Sequence, residues 1–366
     1  MALSRMGSLN ALEQTKGNPF WKRWLGRDKL PSADTNGRVF AQIDCDTIRK
    51  VIKYIYSRLK RNKVLKPAFG GLFALIVDGH ESNASYLRCC AECLTRIVHT
   101  KAGDKIQYYH RNVSAVLLCR DYLVLLDVEP QRPEEDEVAA AMRLVERVLN
   151  NYPRAFELII ADALYTRANF FGLALKYGKD VLTVLKDERR DLLEDALALF
   201  KTEEPIVIQD GRTQRQCWDM DHFNTWLQVN REVRVVRSIE TTTIRRQINK
   251  KEEQKTSDWM WVTTLSQQRV CTKDLVNLGH GRWDIENKEL NELVNDWYAD
   301  HVYKHNPVAI EAFWLVIMLA YNLFHAFVNL NIKPEIRYKY SCLHWARIIS
   351  AEIYYLEEDY LVPVHT

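Results

Sequence analysis

Several things are scarce in this sequence, and each scarcity excludes something. Neither charge dominates: 51 Lys and Arg stand against 48 Asp and Glu, and a formal net charge of +3 does not by itself announce a polyanionic ligand. Met1 to Gln14 contains no long apolar run, so no signal peptide is expected. Together with eight cysteines, this points to a reducing, cytoplasmic compartment. Internal repeats and low-complexity tracts are absent. Only one stretch long enough to span a bilayer, Ala312 to Ile332, is free of Asp, Glu, Lys and Arg. Asn322, His325, Asn329 and Asn331 interrupt it, so it reads as a helix buried in the core, with no membrane as partner. With 47% hydrophobic and 27% charged residues in 366 positions, the expectation is a folded chain of two or three domains.

Charge is uneven locally. Arg49, Lys50, Lys53, Arg58, Lys60 and Arg61 crowd one stretch, and Ile48, Val51, Ile52, Ile55 and Leu59 recur there at helical spacing. An amphipathic basic helix over 44–62 follows, suited to lie along a phosphate backbone. A second basic stretch, Arg231 to Lys255, includes Arg234, Arg237, Arg245 and Arg246. Either stretch fits phosphate binding or an ordinary solvated face.

The middle of the chain reads as an ordered series. Leu72 to Val77 is a short apolar run, the mark of a buried strand, ending at Asp78. Residues 106–118 and 122–129 form a hairpin broken at Arg120-Asp121. Glu134, Glu135, Asp136 and Glu137 make an acidic first turn that complements a helix dipole, and Val138, Ala141, Val145 and Val148 continue the helix. Phe156 to Ala161 is another apolar strand, ending at Asp162, followed by a helix over 166–177 and a strand over 180–185. The order β, ββ, α, β, α, β predicts an α/β fold, a mixed sheet with helices on its faces. Acids at strand ends lie where such sheets bind ligands, although a lone Asp there is as often a turn former. From 205 to 265 short β-type runs alternate, which predicts an inserted antiparallel β region; 272–300 and 309–330 return to helix.

The segment His280-Gly281-Arg282-Trp283-Asp284-Ile285-Glu286-Asn287 supplies a third acid. Taken with VDGHE at Asp78 and IIADALY at Asp162, it resembles insertion-sequence-type DDE transposases of the group with a β-strand insertion in the catalytic domain. The three acids are spaced by 84 and 124 positions, and the β region fills the longer gap. Around the third acid that family carries Tyr, two residues, Arg, three residues, Glu, six residues, Lys. Arg282 and Glu286 match, whereas Gly279 holds the Tyr position and Leu293 the Lys position, leaving Lys288 or His280 as stand-ins for phosphate contacts.

The resemblance implies a ribonuclease-H-like core whose Asp78, Asp162 and Glu286 are catalytic and hold two Mg²⁺ or Mn²⁺ ions. It implies strand cleavage and strand transfer on double-stranded DNA, at transposon ends and target. The enzyme would act as a homo-oligomer, a dimer on paired ends, and be nucleoid-associated if the source is bacterial. Arg282, one helical turn before Glu286, is expected to hold a DNA phosphate or to orient the Glu. Lys53, Arg58, Arg61, Lys288 and Trp259 complete the expected DNA contacts. Trp259 and Trp261 share one strand face, compatible with core as well as with base stacking. Tyr165 either lines the cleft or packs beside it.

Cys90-x2-Cys93, followed by His99 and His110, has the form of a metal knuckle. No second CxxC accompanies it, so both a structural zinc site and ordinary thiols stay open. The expected division is a helical, basic N-terminal part (1–66), a first portion of catalytic core (67–204), the β-rich insertion (205–268), C-terminal core helices (269–333) and a peripheral segment (334–366). A structure-specific nuclease of the same fold and a silent DNA-binding derivative are the alternative functions.

Overall fold

The two apolar runs that lead into Asp78 and Asp162 lie side by side at the centre of the molecule. The computed structural model describes residues 7–26, 30–121, 123–245, 252–284 and 291–354. Helices α1 (Leu9–Gln14), α2 (Pro19–Leu25), α3 (Ala33–Phe40) and α4 (Cys45–Arg61) come first. The core runs β1 (Ala74–Ser85), β2 (Leu94–Thr100), β3 (Gly103–Leu118), β4 (Leu123–Pro130), α5 (Glu137–Asn151), β5 (Leu158–Ala161), α6 (Ala168–Lys176), β6 (Asp180–Val184) and α7 (Arg190–Phe200). The insertion follows as β7 (Ile206–Asp210), β8 (Thr213–Phe223), β9 (Val233–Arg245) and β10 (Glu252–Thr263). Helices α8 (Thr272–Asp284), α9 (Asn291–Trp297), α10 (Pro307–Asn331), α11 (Pro334–Arg337) and α12 (Cys342–Tyr354) close the described chain.

Among the described residues the strands form one mixed sheet in the order β2-β3-β1-β5-β6-β10-β9-β8-β7, with β4 also paired to β3. Pairs β1–β5 and β5–β6 are parallel, and the others are antiparallel. Side chains alternate between two cores. Leu75, Val77, Ile159 and Ala161 face α5, α6 and α7; Ala74, Ile76, Leu158 and Ile160 face α8 and α10. This is the mixed sheet with flanking helices expected of a ribonuclease-H-like core.

The structure departs from the sequence reading in several places. Strand β1 does not stop at Asp78: it continues to Ser85, paired with β3 through Glu81↔Arg111 and Ser82↔His110. That half is polar, so no apolar run announced it. Together with β2, which was not foreseen, it forms an arm beyond the sheet body. The insertion is antiparallel as expected but is no separate layer, because Trp261↔Val184 pairing joins β10 to β6 and continues the central sheet. Within the insertion, β9 is one continuous strand from Val233 to Arg245. Within the helical stretch 272–300 the described residues are helical over α8 and α9, and residues 285–290 lie outside the described residues. Beyond Pro334, α12 is less peripheral than expected, since Ala346 is buried in the α8–α10 core.

Basic residues also behave differently from their neighbours in sequence. Arg49 faces inward, donating from Nε to Asp127 Oδ1 (2.8 Å) and pairing with Glu311. Asp127, 1% exposed, also accepts from Arg147 Nε at 2.7 Å, so α4 is tied to β4 and α5 by charge. In the insertion, Arg234 and Asp219 form a buried pair, and Arg234 Nη1 also donates to the Val270 carbonyl at 2.8 Å. Arg237 is taken by Asp258. Arg246, Lys250 and Lys251 lie outside the described residues.

Helix α10 is long and apolar enough to cross a membrane by length and composition, yet two-thirds of its apolar stretch is buried against the rest of the fold. It packs most extensively on α4 and β4, and also touches α3, α9 and α11. The asparagines that interrupt its apolar run explain themselves here. Asn322, 2% exposed, donates to the Leu125 carbonyl (2.8 Å) and accepts from the Leu125 amide (2.9 Å), satisfying the free edge of β4. Asn322→Leu would make the helix more apolar and still leave two buried backbone groups unpaired. We expect it to destabilise the protein by about 2–4 kcal/mol in denaturant unfolding, whereas a helix whose own hydrophobicity governed its placement would gain stability.

Candidate active site

Register builds the site. In the parallel β1–β5 pair, Ile76 is opposite Ile160, so Asp78 and Asp162, each two residues further on, stand at the same height on neighbouring strands. Strands so paired are roughly 4.8 Å apart. Period-two alternation puts both acids on the face covered by α8 and α10. Asp162 leaves the strand as the N-cap of a short 3-10 turn, accepting from Leu164 N at 2.9 Å. Asp78 is 8% exposed.

Both acids line a cleft of about 380 Å³ with His80, Arg111, Glu137 and Arg282. Arg282, on α8, donates from Nη1 to Asp78 Oδ2 at 3.0 Å. Glu137 enters from the first turn of α5. It accepts from Tyr165 Oη (2.6 Å) and from Arg111 Nη1 (3.1 Å). Gly79 makes room for it: a Cβ there would collide with the Glu137 carboxyl group. Glu137 does lie in the first turn of α5, behind the N-cap Asp136, where it answers the helix dipole as expected; what the sequence did not indicate is that its carboxyl group also reaches the cleft. The one signal that could have singled it out is the glycine directly after Asp78.

Of the two alternatives for Tyr165, packing beside the cleft is the one the structure has. Its ring is buried against Phe170, and its hydroxyl holds Glu137. Cavity size does not pick out this cleft. A cavity of about 700 Å³ at the other end of β1 is larger, but Arg120, Asp121, Arg269 and Asp274 line it with mixed charge.

Burial pushes the Asp162 carboxyl above its ordinary value; Arg282 pulls it down, and Glu137 pushes it further up. His80 is held below the usual imidazole range by burial, with Asp300 and Glu81 opposing. Its Nε2 and Arg111 Nε have no hydrogen-bond partner among the described residues. The donor set is one of hard carboxylate oxygens, offset by guanidinium groups. Such oxygens fit Mg²⁺ or Mn²⁺ and not a soft metal, and Arg282 now supplies to Asp78 the positive charge that a divalent ion would supply.

Other expected residues are placed as follows. Glu286 and Lys288 lie outside the described residues. His280 Nε2 donates to Glu240 Oε1 at 2.7 Å. Trp259 is half-buried, stacked on Trp261 at 6.0 Å and 11° and edge-on to Trp283. Both departures from the family signature have a structural reason. A Cβ at Gly279 would lie 2.5 Å from Trp261 Nε1, so no tyrosine fits there, and Leu293 is 1% exposed, where a lysine would bury its charge. Lys53, Arg58 and Arg61 are exposed on α4 but remote from the acids: the neighbouring Lys60 bonds the Arg154 carbonyl, which precedes β5, whereas Asp162 follows it. His99 does not join the cysteines as expected. It is exposed at the β2–β3 turn and bonded to Asp104, and His305, from a distant segment, takes its place beside Cys90, Cys93 and His110.

An acidic, guanidinium-flanked cleft where the parallel pairing of β1 and β5 ends is of the kind that metal-dependent phosphoryl-transfer enzymes use. The chain matches the family model of the transposase DDE domain over residues 75–323, which spans β1 to most of α10, and it belongs to that family. It is thus a transposase that cleaves DNA and transfers strands. No curated protein gives a match to the chain.

The Asp162 shift carries a stability consequence. A carboxyl raised in the folded state favours the protonated form, so its contribution is full at low pH and is lost as pH rises through the folded pKa. Asp162→Asn should therefore raise the melting temperature of the protein in divalent-free buffer at neutral pH, by roughly 1–3 °C. The gain should shrink as pH falls below the carboxylate range. A variant that melts lower at neutral pH would contradict the desolvated-charge account.

Proposed function

We propose that Asp78, Asp162 and Glu286 are the catalytic acids of this transposase and hold its divalent ions, Mg²⁺ or Mn²⁺, as a pair. The observation that carries the reading is the equal-height placement of Asp78 and Asp162 in one cleft, with Arg282 of the Glu286-bearing segment already on Asp78. Cleavage and joining are both in-line displacements at phosphorus: the attacking oxygen, of water and then of the freed 3′-hydroxyl, forms a new P–O bond as the old one breaks. Divalent ions, when bound, activate the attacking oxygen and neutralise the leaving one.

The chain's own residues do the rest. Asp78, Asp162 and Glu286 present oxygens to the ions. Arg282 and Arg111 bring guanidinium charge to the phosphate, and His80 offers a buried imidazole nitrogen to it. Glu137 is a positioning residue, locking Arg111 into the wall of the cleft and Tyr165 beside it. Trp259 stacks on a base beside the cleaved phosphate, and Lys288 contacts the backbone there. Lys53, Arg58 and Arg61 contact duplex away from the cleavage point. The enzyme works in the cytoplasm as a homodimer on paired transposon ends.

The test uses the element's own end sequence as substrate. Asp78→Asn, Asp162→Asn and Glu286→Gln should each lower cleavage and strand transfer together, by on the order of 10³-fold, and still bind ends. Arg282→Ala should cost about 10- to 100-fold. Charge reversal at Arg58 and Arg61 should do the opposite of the acid variants, weakening binding and flattening its salt dependence by about one charge each. An Asp162→Asn enzyme that still cuts overturns the assignment.

A further inference from the structure

The arm made by the outer half of β1, β2 and the start of β3 has almost no core of its own. On β2 only Leu94 is buried, and the first four residues of β3 are exposed. A hairpin without a hydrophobic face is marginal in water, and small elements of this kind need a staple. At the base of the arm, Cys90 and Cys93 from the β1–β2 loop meet His110 of β3 and His305, which lies just ahead of the α10 N-cap Asn306. Their Sγ and Nε2 atoms all lie within 4.8 Å of one another.

We propose that Cys90, Cys93, His110 and His305 form a structural Zn²⁺ site that fastens the arm to the segment between α9 and α10. Four of the six separations are close to a tetrahedron's edges, and the other two are within 4.8 Å. Zinc bonds of about 2.3 Å to sulfur and about 2.0–2.1 Å to nitrogen imply S–S near 3.8 Å and S–N near 3.6 Å. Here the two sulfurs are 3.7 Å apart, His110 Nε2 is 3.4 Å from Cys90 Sγ and 3.3 Å from Cys93 Sγ, and His305 Nε2 is 3.3 Å from Cys93 Sγ. The knuckle is shaped for a thiolate: the Cys93 amide donates to the Cys90 carbonyl, and the Cys90 amide donates to Cys93 Sγ, both at 3.2 Å. Cys93 and His110 are buried, 8% and 4% exposed, which keeps water from the soft half of the site. Two sulfurs and two imidazoles select zinc, while the oxygen-lined catalytic cleft selects harder ions. This site is independent of the catalytic assignment. Its role is to hold His305, and with it the start of α10, against β3 next to the strand pair that carries Asp78.

The experiment measures metal in the full chain, expressed with zinc and dialysed in chelator-free buffer, by plasma mass spectrometry. One zinc ion per chain is expected in the parent protein, in His99→Ala and in Glu292→Gln, the last altering a separate Glu292, His325 and Cys342 cluster. Cys93→Ser and His305→Ala should retain under a tenth of that amount. Should those variants fail to fold, the parent protein loaded with Co²⁺ decides. The intense visible bands of a tetrahedral ion with sulfur-to-metal charge transfer support the site, and a weak octahedral spectrum overturns it. Zinc-free parent protein, or zinc retained by folded Cys93→Ser, also overturns it.

Discussion

Two carboxylates held at the same height on adjacent parallel strands repel each other, and burial makes the repulsion worse. No local motif can put Asp78 and Asp162 there, because parallel strands need a long crossover between them. In this chain the crossover is the β2–β4 hairpins and α5, and it returns with Glu137 at its first turn, against Gly79. The negative charge that results is answered by Arg282 from α8 and Arg111 from β3. Two guanidinium groups against the carboxylates of Asp78, Asp162 and Glu137 leave the cleft oxygen-rich and negative in balance, a setting that divalent cations complement.

That arrangement requires α8 to be held firmly, and the β insertion does this. Asp219 of β8 takes Arg234 on one side and the Thr272 hydroxyl, at the start of α8, on the other. Arg234 also grips the Val270 carbonyl just before the helix. Farther along, Trp261 lies against Gly279 so closely that no side chain fits between strand and helix. Breaking a buried pair such as Arg234–Asp219 by removing one partner leaves an uncompensated charge, a loss of about 3–5 kcal/mol. The insertion is therefore a brace for the segment bearing Arg282 as well as a set of extra strands.

The parts of the fold that were legible in the sequence depend on short-range pattern. Apolar runs before Asp78 and Asp162, the amphipathic α5 and the buried α10 all show themselves through periodicity. Charged residues are less readable, because a side chain's partner is set by tertiary placement. Arg49 and Arg234 sit in stretches that look like basic faces, yet both are consumed by buried aspartates. Glu137 sits among Glu134, Glu135 and Asp136, and nothing in composition separates the acid that reaches the cleft from those that serve the helix end. His99 is near the cysteines in sequence but on the wrong side of the β2–β3 turn, whereas His305 arrives from over two hundred residues away. The polar half of β1 hid for a similar reason: its pairing with β3 depends on backbone register more than on apolar side chains.

The central claim, that the acids on β1 and β5 share their ions with Glu286, is tested most directly by mapping the ions on the polypeptide. Fe²⁺ in place of Mg²⁺, with ascorbate and peroxide, generates hydroxyl radicals that cut the chain within a few ångströms of the bound ion. The account predicts cuts confined to three neighbourhoods, around Asp78, Asp162 and Glu286, all suppressed by excess Mg²⁺ and by Asp162→Asn. Cuts near the two aspartates with none near Glu286, or cuts indifferent to Mg²⁺, would contradict it.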